Sequence, residues 1–318
     1  MVHGRHLVAL GACWIILASC LATPSARAQS AGGQGATVSS SPAPSPEQIH
    51  SLILRAIENQ HRDDRALEEF ERVEHRITRK GENADILTDI TERLVPSGTG
   101  VVKMKMEENG MTVPPETYRQ EMEFTVNALE LAMHPNDRYE EDLAKFNRRR
   151  REHDELVDTA TNAFRVAWAG WDTRPDPSAP HGTRTLMKFL LNPNPDYKPI
   201  NRFAASFQHV HGILWVDEAQ SQFARLEADI ATDIIFVGGV AGRVYHGGHV
   251  EMEQEEVAPG VWLPTVYTYD VDGRKFLFAF GIHERAEISR YRRVGPPQQA
   301  VEIMRNELNN QTAATPAR

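Results

Sequence analysis

Residues 207–231 read FQHVHGILWVDEAQSQFARLEADIA, and the second half of this stretch decides the fold. From Ala224 to Ile230 the side chains alternate. Ala224, Leu226, Ala228 and Ile230 fall on one face, and Arg225, Glu227 and Asp229 on the other. Strict alternation is the period of a half-buried β-strand. Ile213 and Trp215 alternate in the preceding segment, and the short link between the two predicts an antiparallel pair. One face of such a sheet is apolar and the other charged, so the apolar face must be covered.

The same reading extends over residues 164–294, with strands predicted at 164–171, 184–191, 207–216, 222–231, 240–256, 261–270, 275–282 and 285–293. Turns fall at Asn192-Pro193-Asn194-Pro195 and Asp270 to Gly273. The clearest alternation is Phe276, Phe278 and Phe280, three rings assigned to one face opposite Lys275, Leu277 and Ala279. No strand–helix–strand alternation is present, which argues against a doubly wound parallel sheet.

Upstream, Pro46-Glu47 opens a helix in which Ile49, Leu52, Ile53, Ala56 and Ile57 make one apolar stripe. Strands are predicted near 70–78, 86–94 and 101–107, with Asn109-Gly110 as a tight turn. A helical insertion spans 115–163, and its four consecutive arginines, Arg148 to Arg151, point all round the helix and read as a solvated face. The tail, 295–318, carries one short helical pattern. The expected architecture is α+β: a curved antiparallel sheet spanning 47–294, covered by the N-terminal helix and the insertion.

The first residues carry an export address. A short basic region precedes the uncharged apolar run Leu7 to Leu21, too short for an ordinary transmembrane helix. Ala26-Arg27-Ala28 fits signal-peptidase cleavage, giving a signal at 1–28. Leu17-Ala18-Ser19-Cys20 fits a lipoprotein signal in which Cys20 is acylated. Residues 29–46, small, polar and proline-rich, read as a disordered tether. Both cysteines, Cys13 and Cys20, lie inside the signal, so cleavage after Ala28 leaves no thiol chemistry. It also leaves 33 basic against 44 acidic residues, a balance of −11 that does not suit nucleic-acid binding. The expected location is the periplasm or the outer membrane.

Curled under helices, the apolar face of the sheet can hold an acyl chain. Each buried methylene is worth roughly 0.8 kcal/mol, so a chain of about sixteen carbons gains on the order of 10 kcal/mol. Trp215, Leu226, Ile230, Phe276, Phe278 and Phe280 are the expected lining, with Trp262 at the rim. Alternating apolar strands equally serve as plain core, and a tryptophan at a strand start equally seals one. The histidines offer a competing reading: His209 and His211 share a strand face, and His246 and His249 bracket a glycine turn, a set a metal-dependent hydrolase could use. Such a site needs the four to converge and a second shell to orient them, and the sequence shows neither. No catalytic residue, metal or cofactor is expected.

Five segments, Gly212–Asp217, Phe223–Ala228, Met252–Gln254, Val261–Pro264 and Arg290–Arg293, taken in order over about residues 48–294, resemble exported acidobacterial-type proteins of the LolA-like outer-membrane lipoprotein-sorting superfamily. The resemblance implies an unclosed β-barrel with helices plugging a hydrophobic concavity, and a carrier of lipid or lipoprotein acyl chains. It implies equally an envelope-stress sensor that releases a membrane partner when lipid arrives. The chain departs from the sorting chaperones in its large helical insertion, and no lid arginine can be placed by motif.

Overall fold

The computed structural model of the chain describes residues 43–81, 85–176, 182–236, 242–276 and 278–314. The expected signal at 1–28, both cysteines and all but the last residues of the expected tether at 29–46 lie outside the described residues.

Ser45 opens the first helix, α1 (Pro46–Leu67), by a capping box: its hydroxyl accepts from the Gln48 N–H while the Gln48 side chain accepts from the Ser45 N–H. Strands β1 (Phe70–Arg79), β2 (Ile86–Pro96), β3 (Val101–Glu108) and β4 (Met111–Thr112) follow. The β3–β4 turn takes positive φ at both Asn109 (51°) and Gly110 (75°), which Asn-Gly tolerates best. Two helices come next, α2 (Pro115–Glu130) and α3 (Asp137–Ala163). Then come β5 (Phe164–Pro175), β6 (Thr183–Pro193), a short 3-10 helix (Ala204–His209), β7 (Val210–Asp217), β8 (Gln222–Ile230), β9 (Ile234–Phe236), β10 (Gly242–Val244), β11 (His249–Ala258), β12 (Val261–Lys275), β13 (Phe278–Arg293) and α4 (Pro297–Ala314).

All the described strands join one antiparallel sheet in the order β4-β3-β2-β1-β13-β12-β11-β8-β7-β6-β5, with β9 and β10 attached as a hairpin beside β12. The two ends do not pair, so the barrel is unclosed. Three expectations are revised. The single strand read at 240–256 is two, β10 and β11, parted where Gly247 takes φ 87°. The segments at 275–282 and 285–293 are one strand, β13. The turn read at Asp270–Gly273 is instead paired strand, because these residues stay in register with His283–Phe280.

The sheet bends enough to bury part of itself. Tyr267, Tyr269, Ala286 and Ile288 are buried together, packed by Val250, Met252, Ile282 and Tyr291, all of them strand residues. No helix residue contributes to that cluster, so the concave face covers it by curling.

The helices do not share a face. The stripe of α1 and the last turns of α3 pack on the concave side of β5–β8, around Ile53, Ile57, Leu156, Val157, Phe189 and Leu214. Helix α2 and the C-terminal helix α4 pack together on the outer side of β2 and β3, around Val95, Met104, Met122, Leu129, Val301 and Met304. Thus only the second helix of the insertion covers the concavity. The segment read as a tail forms part of a second core.

At Gly212, a side-chain β-carbon would stand 2.3 Å from the Glu227 carbonyl oxygen of the neighbouring strand. Gly212→Ala is therefore expected to destabilise the chain by about 1–3 kcal/mol, the usual range for forced overpacking. Denaturant titration with an unchanged m-value checks it.

Candidate functional site

Where α1 and α3 cross the concave face they leave a cavity of about 90 Å³. Its floor is Leu191, Leu214, Leu226, Met252 and Tyr267 of the sheet, and its walls include Ile53, Ile57 and Leu67 of α1 and Val157 and Ala160 of α3. Four polar side chains break the apolar lining: Gln60, Asp64, His153 and Thr161. That volume takes roughly half a dozen water-sized groups. A long hydrocarbon tail enters only if the helices part.

The two helices are held differently. Helix α1 is pinned to the sheet along its length. The Asn59 amide donates to the Gln220 and Ser221 carbonyls (3.0 and 2.9 Å), and Arg62 donates to the Gly260 carbonyl (3.0 Å). Asp63, 1 % exposed, accepts from the Trp262 N–H, and burial pushes its pKa up. Helix α3 is held to α1 chiefly by acid–base pairs: His153 to Asp64 (3.0 Å), His61 to Asp158 (2.8 Å) and Asp154 (3.4 Å), and Arg150 to Glu68 (3.1 Å). A hydrogen-bonded chain continues from this latch into the floor. Gln60 donates to Asp64 (2.8 Å), and Gln254 donates to both Gln60 (2.8 Å) and the Phe223 carbonyl (3.1 Å). Burial alone would lower the pKa of His153, but the hydrogen bond and charge of Asp64, with Asp154, raise it above the ordinary histidine value.

Of the residues expected to line the cavity, Leu226 does so. The others are elsewhere. Trp215 points to the outer face and packs with Leu186, Ala224 and Trp262. Ala224 joins it there because a bulge sets Trp215 against Arg225 but Val216 against Phe223, so Ala224 turns over and Phe223 takes its place on the cavity wall. Ile230 and Phe280 meet in a separate cluster under β9 and β10. There the Phe280 ring lies against Gly273, 2.3 Å from where a β-carbon would stand. Phe276 and Phe278 are 57 % and 71 % exposed, at the far end of β12 and β13. Trp262 is no rim residue: it is 2 % exposed, its indole N–H donates to Gln220 (2.9 Å), and Arg184 stacks 4.7 Å over its ring.

The four histidines do not converge. His209 bonds Thr232, His246 bonds Asp233, and His211 and His249 lie either side of Asp229. Among the described residues no three histidine, cysteine or acidic side chains could hold a metal ion. On the outer face these groups form a cross-strand row, His211, Asp229, His249, Asp270 and His283, one per strand from β7 to β13.

One feature of the concave face went unread in the sequence. Beside the tyrosine cluster β1 contributes Arg72 and Glu74, 1 % and 3 % exposed. Glu74 pairs with Arg76 and with Lys103 (3.3 Å), and Lys103 also with Glu92 (2.9 Å). Arg76 reaches Glu284 (3.5 Å), whose carboxyl is pushed up by burial. In sequence this is simply a charged stretch, and charge in a strand ordinarily signals solvent.

No family model matches the chain, and no curated protein matches it. Among solved structures it is similar to a crystal structure described as an outer membrane lipoprotein-sorting protein domain from Vibrio parahaemolyticus, at 7 % identity and a TM-score of 0.27, covering 76 % of this chain and 92 % of that one. A likeness at that score carries no argument about function.

The latch has a pH sign. His153 has a raised folded-state pKa, so its pairing with Asp64 contributes fully below the unfolded value of about 6.5 and is lost as pH rises through the folded value above it. Amide exchange in residues 150–163 should accelerate across that window after correction for the intrinsic pH dependence. His153→Gln should remove the acceleration.

Proposed function

We propose that the chain is an envelope carrier that binds the hydrocarbon tails of lipids or lipoproteins between α1, α3 and the concave sheet. The observation that carries this reading is the contrast between the two helices bounding an apolar slot. One is pinned to the sheet by side chains aimed at backbone carbonyls in its turns, and the other, tied by Asn194 at its last carbonyls, Asn162 and Ala163, meets the first through acid–base pairs and the packing of Leu156 and Val157. An apolar slot that existed only to be filled would need no such asymmetry. Buried to the depth of Leu226 and Tyr267, a tail takes the place of the Val157 and Ala160 side chains as they move outward. Each methylene so transferred contributes roughly 0.8 kcal/mol, so a tail of about sixteen carbons sets on the order of 10 kcal/mol against the cost of separating the pairs.

The export signal, the tether and either anchor at Cys20 or release after Ala28 suit such a carrier, placing it in the periplasm or at the outer membrane. No catalytic group is required, because transfer of a tail between hydrophobic sites makes and breaks no covalent bond.

The test is binding of N-phenyl-1-naphthylamine, a neutral apolar fluorophore, to the folded chain. Leu226→Asp should weaken binding at least tenfold by placing a carboxylate on the cavity floor. Phe278→Asp, at an exposed position, should leave both affinity and melting temperature within error. Wild-type affinity in folded Leu226→Asp would remove the cavity from the proposal. Native mass spectrometry of gently purified protein should show bound lipid.

A further inference from the structure

Arg72 is a cation on the concave face that the local ion pairs leave out. Its Nη1 donates to the Phe70 carbonyl (3.3 Å), while Nε and Nη2 are buried with no hydrogen-bond partner. Its acidic neighbour Glu74 is already engaged by Arg76 and Lys103. Among the described residues no carboxylate lies within ion-pair distance of the Arg72 guanidinium. A wholly buried charge in that condition costs several kcal/mol, and nothing in the fold requires it: the position faces Leu94 across β2, where an apolar side chain would pack.

Arg72 does not itself line the cavity but stands behind residues that do. Its electrostatic neighbours are Tyr291, Glu74 and Tyr267. Tyr267 is also a cavity-lining residue, and the Tyr291 hydroxyl donates to the carbonyl of Pro264, another lining residue. The concave face therefore changes character along its length, apolar under α1 and α3 and charged just past Tyr267, where Arg72 is a base without a carboxylate in ion-pair distance among the described residues.

Resting on the carrier reading above, we propose that the ligand is an anionic amphiphile: its tail lies in the slot under α1 and α3, and its carboxylate or phosphate accepts hydrogen bonds from Nε and Nη2 of Arg72. A guanidinium presents those two donors in the fork that carboxylates and phosphates fit. The ligand supplies the acid partner that the chain withholds.

The experiment is displacement of N-phenyl-1-naphthylamine by palmitate and by hexadecanol, which share a chain length and differ in head charge. Wild type should bind palmitate at least tenfold more tightly, the worth of a charge-assisted hydrogen bond. Arg72→Gln should bring the two within about threefold of each other, while Arg72→Lys should keep part of the preference. Equal displacement by hexadecanol and palmitate in wild type overturns the assignment, and so does an undiminished preference in Arg72→Gln. The wild-type comparison decides even if the variants fail to fold. Sodium phosphate or acetate should not displace the probe at matched concentration; if either does so as well as palmitate, the site takes a free anion and the amphiphile is excluded. If wild type does not bind the naphthylamine at all, the carrier reading itself falls, and this one with it.

Discussion

The side-chain amide of Asn59 donates to two consecutive carbonyls in the β7–β8 turn, and much of the molecule follows from that attachment. It fixes α1 over the centre of the concave face, where its stripe of Leu52, Ile53, Ala56 and Ile57 is buried. With α1 fixed, the sheet has a permanent roof at its middle and a conditional one at its β5 edge, where α3 rests. The hydrophobic effect alone would not distinguish the two helices, since it is non-directional. The distinction comes from polar bonds aimed at backbone carbonyls in one case and at titratable side chains in the other.

That difference shapes the energetics of opening. Helix α3 buries only Leu156, Val157, Thr159 and Ala163, all in its last two turns, and leads directly into β5 at Phe164. The opposite core, built by α2 and α4 on the outer face, shares no buried residue with the slot. A change at the slot therefore need not propagate to the helices that hold the other end of the sheet together.

Much of this was legible in the residues. Alternation found the strands, and the stripe on α1 announced a helix with one buried face. The candidate lining was less legible, for reasons that lie in the sequence itself. Strand β7 is apolar on both faces, with Leu214 and Val216 inward and Ile213 and Trp215 outward, so periodicity cannot choose between them. A bulge at Ala224 flips one side chain without any glycine or proline to signal it. Phe278 and Phe280 do lie on one strand, but Phe276 falls outside both strands at φ 54°, and whether a strand end projects past its neighbours depends on where those neighbours stop. Arg72 sits in a run of charges that reads as solvent-facing. Its burial arises because β1 lies inside the curl of the sheet, beside Tyr267 and Tyr291, which are about two hundred residues away in sequence. Gln60, Asp64 and His153 likewise look like ordinary wet positions until two helices are laid side by side.

The row of His211, Asp229, His249, Asp270 and His283 on the outer face bears on how so long a sheet assembles correctly. Each rung sets a base against an acid on the next strand. A one-residue misalignment of any of these strands would rotate its rung member inward, carrying an ionisable group into the greasy interior, and would leave the flanking members facing a hydrocarbon. Mispairing is thus penalised at each of the four rungs by side chains that touch neither the slot nor the latch, and the row acts as a molecular vernier for the strands around it.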